Sequence, residues 1–426
     1  MTAPNGAIIF NNVTGSDTAA SGLGPAVAVT GSGASTTGAS NVVTGINTAG
    51  VSSGDLLWVQ SSSGRQFSII TTVDSGAQVT CDDNFDNTES GRTWAIGGKR
   101  ATWDNSDSRV LWSSQNIFNI NNSMLVEIKT ETDQSLTSPL VPYSSFNLLF
   151  TSDNRSTIST TGDFSAIDNP RNYILFIKNL KFLCGSTSST SAGITGEGQT
   201  LITDCTVGED GGSNNFRHGI LVEYATQVTA HRCQLYGKGI SDTSGFGFGG
   251  SNGNINFTYL SDSYVKDFYY GYRSPYRTWS SVGNVFSSCG YGIYSIVVGG
   301  PLEIRNTIFH NLTEPAFFTD NLRYVNLYRG DFLYGCVFVD CQDHLLRCLN
   351  GGVFYGGGGN KGDFRSPFLN TLYSYNSSNT FDNFPEFQIY NLTADPFVDA
   401  ANGDFNINNA SGGGAVLRST KYTLGG

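Results

Sequence analysis

The chain reads TDCTVG at residues 203–208 and HRCQLY at residues 231–236, and this six-residue pattern decides the fold because seven segments share it. The other five are KNLKFL (178–183), SDSYVK (261–266), VGNVFS (282–287), IRNTIF (304–309) and YGCVFV (334–339). Successive segments begin 21 to 30 residues apart. The third residue of each is Leu, Cys, Ser or Asn, and the fifth is aliphatic or aromatic.

Residues two apart on a strand point to the same face, so both columns are predicted to face inward. The inward columns are Leu180, Cys205, Cys233, Ser263, Asn284, Asn306 and Cys336, then Phe182, Val207, Leu235, Val265, Phe286, Ile308 and Phe338. A repeat of this length holds about three short strands, and stacking the repeats places like residues roughly 4.8 Å apart. The pattern predicts an all-β fold, a right-handed parallel β-helix.

A second strand is predicted 8 to 14 residues after the first in five repeats. It pairs a small residue with an apolar one, which is typical of a sharp bend followed by an inward side chain. The pairs are Gly219–Ile220, Gly245–Phe246, Gly271–Tyr272, Gly292–Ile293 and Ala316–Phe317.

Three regions of the chain differ in composition and hydrophobic pattern. Residues 1–110 are predicted to form a small antiparallel β-module, with strands at 56–60, 66–73, 78–81 and 94–96. Residues 111–350 are assigned to the parallel β-helix, although 111–170 cannot be divided into coils. Residues 351–426 are predicted to cap the open end of the stack, because exposed strand edges need cover.

Composition excludes several functions. Charged residues make up only 14% of the chain, and the net charge is −11, which argues against nucleic acid and anionic membranes as partners. No stretch of 18 apolar residues exists, so no membrane insertion is expected. The eight cysteines include no CxxC and form no zinc pattern with the four histidines; we expect reduced thiols, no metal and no cofactor. The N-terminus lacks the basic and apolar regions of a signal peptide, so synthesis in the host cytoplasm is expected.

The repeated strands resemble the right-handed parallel β-helix superfamily of pectate lyases, polygalacturonases and phage tailspikes. The segments Asp395–Asp399 and Gly403–Phe405 are similar to an ending found in many bacterial and phage β-helix proteins, and the N-terminal strands look like a module of phage virion proteins. The resemblance implies a virion protein, such as a tail spike, fibre or head decoration. It also implies that the N-terminal module attaches to other virion proteins.

The candidate binding residues lie in the run FYYGYRSPYRTW (268–279). Tyrosine beside arginine suits sugar rings or a protein partner, and subunit contact or turn packing is the alternative. The residues proposed to bind glycan or a partner are Tyr270, Tyr272, Arg273, Tyr276 and Arg277.

No catalytic residue is predicted. Asp204, Arg232 and Asp262 occupy one outward column, which we interpret as a surface charge ladder. Asp343, His344 and Arg347 are weak candidates, because neighbours on a strand face opposite sides.

The sequence therefore favours a structural virion component with host surface glycan as its candidate ligand. The alternatives are a phage polysaccharide depolymerase or lyase, and a secreted or surface adhesin. Aromatic residues are plentiful, and a thin solenoid cannot bury them all, so a homo-oligomer is expected. A trimer is chosen by resemblance to phage spikes and fibres.

Overall fold

The computed structural model describes most of the chain. The described ranges are residues 7–11, 29–97, 125–141, 147–169, 174–187, 189–223, 227–250, 257–274, 278–295, 302–321, 333–343, 345–350, 372–378, 381–382 and 389–419. The chain divides into two compact units. Unit 1 comprises Met1–Gly162 and Ala166–Phe182, and unit 2 comprises Asp163–Ser165 and Leu183–Gly426.

A closed antiparallel barrel lies in unit 1. Its six strands are Val29–Thr36, Ser40–Thr44, Leu56–Ser61, Gly64–Ser75, Gln78–Phe85 and Glu89–Ile96. Alternate residues face a core that includes Val43, Leu57, Ile70, Val79 and Trp94, all of them buried. The four strands predicted here are confirmed, and two more close the barrel.

The other described strands of unit 1 are parallel. One sheet contains Ala7–Asn11, Leu125–Thr130, Asn147–Thr151 and Ile174–Lys178. Gln134–Leu136 and Thr157–Thr160 form a second parallel pair, and Ile167–Asn169 follows. Ala7 pairs with Val126, so the chain makes a parallel strand before it enters the barrel. The parallel strands thus begin well before residue 111, where the sequence placed their start.

Unit 2 is a parallel β-helix whose coils contribute short strands to three sheets. The first sheet holds Gln199–Thr203, Gln227–His231, Phe257–Ser261, Thr278–Val282, Leu302–Arg305 and Leu333–Tyr334. The second sheet holds Thr206–Val207, Gln234–Tyr236, Tyr264–Lys266, Val285–Ser287, Ile308–His310, Val337–Val339, Leu372–Tyr375 and Ile389–Asn391. The third sheet holds Ala192–Gly196, His218–Val222, Phe246–Gly249, Tyr270–Ser274, Tyr291–Ser295, Phe317–Asn321, Leu346–Asn350 and Phe381–Asp382. Lys181–Leu183 is a short strand at the division between the units. The predicted parallel β-helix is confirmed.

The inward column of the second sheet forms the core. Phe286, Phe309 and Phe338 stack on one another, with ring centroids 5.6 Å and 5.2 Å apart. The ungapped alignment was wrong by one residue in the sixth segment, because Phe286 pairs with Phe309 and not with Ile308. Asn306 was correspondingly misassigned to the inward column, where Thr307 lies buried.

A left-handed residue explains that shift. Each coil turns from the first sheet to the second at one residue of positive φ. In chain order these residues are Asn179, Asp204, Arg232, Asp262, Gly283, Asn306 and Gly335. Asn306 has φ 50° and therefore corresponds to Gly283, not to the inward Asn284. Asn tolerates this conformation better than most residues, so it can stand at either place.

A column of small residues in the third sheet makes room for this core. A β-carbon at Gly271 would lie 2.5 Å from Phe286 Cδ1, and one at Gly292 would lie 2.5 Å from Phe309 Cδ1. The register also corrects the third coil: Phe248 pairs with Ile220 and with Tyr272, so Gly247 and Phe248 take the places assigned to Gly245 and Phe246.

The C-terminal segment, residues 393–419, covers the outer face of the second sheet. It contains the hairpin Phe397–Asp399 with Asp404–Ile407, the 3₁₀ turn Ala400–Asn402 and the single described α-helix, Gly414–Ser419. Phe397 and Leu417 pack into a buried cluster with Val337 and Tyr373 of the sheet. The described part of the predicted cap thus shields a flank of the stack.

The described cysteines are free and buried. They are Cys81, Cys184, Cys205, Cys233, Cys289, Cys336 and Cys341. Burial raises the pKa of the Cys289 and Cys341 thiols to about 12, so both are protonated at neutral pH. The reduced state of the thiols stays a prediction.

Candidate functional site

The outer face of the third sheet carries an aromatic patch, which we define as Tyr269, Tyr270, Tyr291, Tyr294 and Phe318. The local sequence explains it. In the strands Tyr270–Ser274 (YGYRS) and Tyr291–Ser295 (YGIYS), the second and third residues are both buried because the strand bends between them. The first and fourth residues therefore face outward. Register aligns Tyr270 with Tyr291, and Tyr294 with Phe318. The four tyrosines are half-buried, and Phe318, on the next coil beside Tyr294, is buried.

The rings of the aromatic patch contact one another across three coils. Tyr270 and Tyr291 stack with centroids 5.4 Å apart, and Tyr294 and Phe318 stack at 5.0 Å. Tyr269 meets Tyr270 edge-on at 4.7 Å. Such contacts restrict the movement of the rings, so the patch presents a rigid aromatic surface.

Arg273 lies within this patch, next to Tyr294 in its column. Its guanidinium carbon is 5.3 Å from the centroid of the Tyr270 ring, a cation–π contact. Its Nε atom is buried and has no hydrogen-bond partner. Gly249 pairs with Arg273 in the same column, and a β-carbon at Gly249 would overlap the Arg273 carbonyl oxygen, so the two strands approach too closely there for a side chain.

The ionisable groups around the aromatic patch differ in charge and in the direction of their pKa shifts. Burial lowers the pKa of His218 to about 4, and the nearby Arg217 and Arg273 lower it too, so the ring is neutral at pH 7. Arg217 is neutralised by Asp242, with Nε 2.9 Å from Oδ2. Burial raises the pKa of the Tyr291 hydroxyl, and Glu314, with which it shares a hydrogen bond, raises it further.

The structure separates the five predicted binding residues. Tyr270 and Arg273 lie together on the outer face, as the binding hypothesis requires. Tyr272 is fully buried and was wrongly proposed: its ring fills the core, and its hydroxyl donates to Thr258 Oγ1 at 2.6 Å. Tyr276 and Arg277 lie outside the described residues.

Sequence reasoning missed Tyr291, Tyr294 and Phe318. The signal was available, because YGIYS repeats the pattern of YGYRS one coil later. Only the register shows that side chains from successive coils share one face.

The predicted charge ladder is present. Arg232 binds Asp204 through two contacts, Nε to Oδ1 at 2.6 Å and Nη2 to Oδ2 at 2.9 Å. Asp262 lies on the next coil, 3.3 Å from His231 Nδ1. Of the weak catalytic group, Asp343 is half-buried, whereas His344 and the Arg347 side chain lie outside the described residues.

A second polar cluster lies near the C-terminal segment. Lys266 Nζ is 2.6 Å from Asp210 Oδ1, and Asp267 is half-buried beside them. Burial raises the pKa of the Asp267 carboxyl; Lys266 opposes this effect and Asp210 adds to it. Phe405 packs against Tyr264 and His310 at the edge of this cluster.

Within the described ranges, no group of three or more His, Cys, Asp or Glu side chains is arranged to hold a metal ion. No helix in the described part of the chain is long and apolar enough to cross a membrane.

Comparison with known proteins gives weak structural similarities. No protein-family model and no curated protein sequence matches the chain. The tailspike protein gp49 from Pseudomonas phage LKA1 aligns with 91% of this chain and 67% of its own, at 12% identity and a TM-score of 0.34. The catalytic unit of a GH87 α-1,3-glucanase from Streptomyces thermodiastaticus aligns with 86% of each chain, at 10% identity and a TM-score of 0.39. At these scores neither likeness bears on function.

Proposed function

We propose that this chain is a structural component of a phage virion that binds a host surface glycan through the aromatic patch. The observation that carries the proposal is the rigid group Tyr270, Tyr291 and Tyr294 with Arg273 among them. Sugar rings present C–H faces that pack on aromatic rings, while their hydroxyls accept hydrogen bonds from arginine and tyrosine. A patch spanning three coils suits an extended chain of sugars rather than a single residue.

The place on the virion is a proposal drawn from the sequence resemblance. The barrel at residues 29–96 would attach to other virion proteins, and the parallel β-helix would carry the glycan-binding face. The assembly is expected to be a homotrimer. Light scattering on the purified chain tests this expectation, and a stable species of 45.7 kDa at micromolar concentration would contradict it.

Glycan binding is tested by immobilising host surface polysaccharide and measuring retention of the purified chain. The variant Tyr270→Ala with Tyr294→Ala should lose binding, because two of the three outward tyrosine rings are removed. Tyr259→Ala is the matched control, since Tyr259 is also half-buried but lies outward on the first sheet. Equal retention of both variants would rule out the aromatic patch as the binding surface.

A second candidate function, polysaccharide depolymerase, is favoured by one specific observation. Asp267 is a half-buried carboxyl whose pKa is raised, and Asp210 is a nearby carboxylate. Glycosidases pair an acid of raised pKa with an ionised carboxylate. Release of reducing ends from host polysaccharide, abolished by Asp267→Asn and retained by Asp262→Asn, would establish this function in place of simple binding.

A further inference from the structure

We infer that the C-terminal segment, residues 393–419, is a cover on the outer face of the second sheet that acid releases, and that His310 is the group whose protonation releases it. Release would expose the apolar side chains beneath the segment, among them Val337 and Tyr373. This switch does not depend on the glycan-binding function proposed above. It follows from how the segment is held, from the position of His310 under it and from the charges around that ring.

The C-terminal segment is hydrogen-bonded within itself. Asn408 Nδ2 donates to the carbonyl oxygens of Asp395 and Phe397, at 2.8 Å and 2.6 Å, and so ties the segment together across its hairpin. Apolar side chains attach the segment to the sheet: Phe397 lies in the buried cluster, and Phe405 packs against that cluster. A unit that keeps its own hydrogen bonds can leave the sheet without unfolding, so a weakening of the packing is enough to release it.

His310 lies under the C-terminal segment, on the outer face of the second sheet. Its side chain is 8% exposed, and the Phe405 ring meets the imidazole edge-on with the ring centroids 5.3 Å apart. Ser287, its neighbour in the column, holds the ring from the sheet side, with Oγ 3.0 Å from His310 Nδ1. The covering ring of Phe405 belongs to the segment, so docking takes water away from His310 and release brings it back.

The ionisable groups that face His310 come from both the sheet and the segment. Asp340, on the next coil, has Oδ2 4.0 Å from His310 Nε2 and favours the protonated ring. Asp395 of the segment favours it too, whereas Lys266, two coils before, disfavours it. Tyr264 packs against the same phenylalanine of the segment, and burial raises the pKa of its hydroxyl, so this group is neutral at acidic pH.

Proton uptake by His310 is linked to loss of the cover. Burial is the largest effect, and it lowers the pKa of His310 below the ordinary value of 6.5 in the covered state. Release removes the burial due to Phe405 together with the smaller attraction of Asp395, and it leaves Asp340 and Lys266 in place. The released form therefore binds a proton more readily. Below pH 6.5 the equilibrium should move toward release, by at most roughly tenfold per pH unit for one proton.

Hydrogen exchange with mass spectrometry on the full-length chain tests the switch. The protection factor of residues 393–407, taken relative to the intrinsic exchange rate at each pH, should fall several-fold between about pH 7.5 and about pH 5. His310→Gln should remove this fall. His231→Gln is the matched control and should retain it, since His231 lies outward on the first sheet. Phe405→Ala keeps His310 but uncovers it, so protection should already be low at neutral pH and change less on acidification.

Local release must be distinguished from acid unfolding of the whole chain, to which His218 contributes. In the His218→Gln variant the segment should still lose protection at acidic pH, and by more than the strand Gln234–Tyr236 does. An equal loss in both places would overturn the switch in favour of global unfolding. A segment that stays protected at about pH 5 would also overturn it. The same holds for a full-sized fall in His310→Gln or in Phe405→Ala, because the proton would then act elsewhere.

Discussion

Tyr270 and Tyr272 are separated by one residue and have opposite environments. Tyr270 lies on the outer face, whereas Tyr272 is enclosed, and its pKa is raised because burial disfavours the phenolate. The bend at Gly271 decides which tyrosine faces solvent. Residue type alone could not predict which tyrosine is buried, because both residues are Tyr. The repeated pair of glycine and an apolar residue was the available signal, and it predicts that Tyr272 faces inward. Proposing Tyr272 as a ligand contact conflicted with that signal.

His218 predicts an acid-sensitive fold. Its pKa is about 4 in the folded chain against an ordinary value of 6.5, so below pH 6.5 the unfolded chain binds a proton that the folded chain does not. The free energy of unfolding should therefore fall as pH drops from 6.5 to about 4, by up to about 3 kcal/mol. Urea unfolding at several pH values measures this fall. The burial of His310 adds a fall of the same sign, so His218→Gln should reduce the pH dependence without abolishing it. If the unfolding free energy of His218→Gln varied with pH as that of the parent chain does, the lowered pKa of His218 would be contradicted.

Gly271 predicts a steric limit. Its replacement by Ala places a methyl group 2.5 Å from Phe286 Cδ1 and 2.6 Å from the Gly292 carbonyl oxygen. Overpacking of this kind costs about 1–3 kcal/mol, so the midpoint of thermal unfolding should drop. Gly76→Ala is the control, because no atom lies within 4 Å of the position that its methyl would take. A Gly271→Ala variant as stable as Gly76→Ala would mean that the core can shift aside.

At the scale of elements, the C-terminal segment shows how a degenerate motif stabilises a fold. Asp395 accepts the Phe397 amide hydrogen, and Asp399 caps the 3₁₀ turn, so the two acids shape the hairpin that presents Phe397 and Phe405 to the second sheet. The sequence resemblance located this motif. It could not predict the docking face, because that depends on which outward residues of distant coils are apolar.

The C-terminal segment gives a prediction about local stability. Phe397→Ala should loosen residues 393–419, because Phe397 is buried and its ring packs against that of Phe405, with the ring centroids 5.4 Å apart. Limited proteolysis with mass spectrometry should show faster cleavage within this segment while the parallel β-helix stays intact. Val398→Ala serves as the control, since Val398 is 58% exposed. Equal cleavage rates for the two variants would mean that Phe397 does not hold the segment.

Strand positions were predicted best where a repeat existed. The second-sheet strands from 181 to 339 follow from the inward columns, with one register error at Asn306. The strands Leu125–Thr130 and Asn147–Thr151 lie in the region 111–170, which could not be divided into coils from sequence, because single coils without a repeating neighbour give no register. The aromatic patch was predicted only in part for the same reason, because the pairing register of successive coils brings its side chains together.

At the scale of the molecule, a solenoid depends on contacts between neighbouring coils. Phe286→Asp should abolish folding, because a charge in the stacked column has no partner and separates the coils on both sides. Soluble expression with circular dichroism measures this. Phe257→Asp should fold, since Phe257 is 41% exposed on the first sheet. A soluble, protease-resistant Phe286→Asp variant would show that the column is misassigned.

The described surface of unit 2 also refines the expectation of a homotrimer. The argument from sequence was that flank aromatics need burial between subunits. The C-terminal segment already buries several of them, including Tyr373, and the rings of the third sheet partly cover one another. The trimer therefore stays a prediction, and the sheet faces impose it less strongly than the composition suggested.

The insertion of the barrel has a consequence for the order in which the chain acquires its structure. Ala7 pairs with Val126, whereas most later strands pair with neighbours only 20 to 30 residues away, as Gln199 does with Gln227. Closing the longer loop costs about 1 kcal/mol more chain entropy, and it cannot begin on the ribosome until residue 126 has emerged. The strand Ala7–Asn11 should thus wait for its partner, and during translation its unpaired edge is open to pairing with another copy.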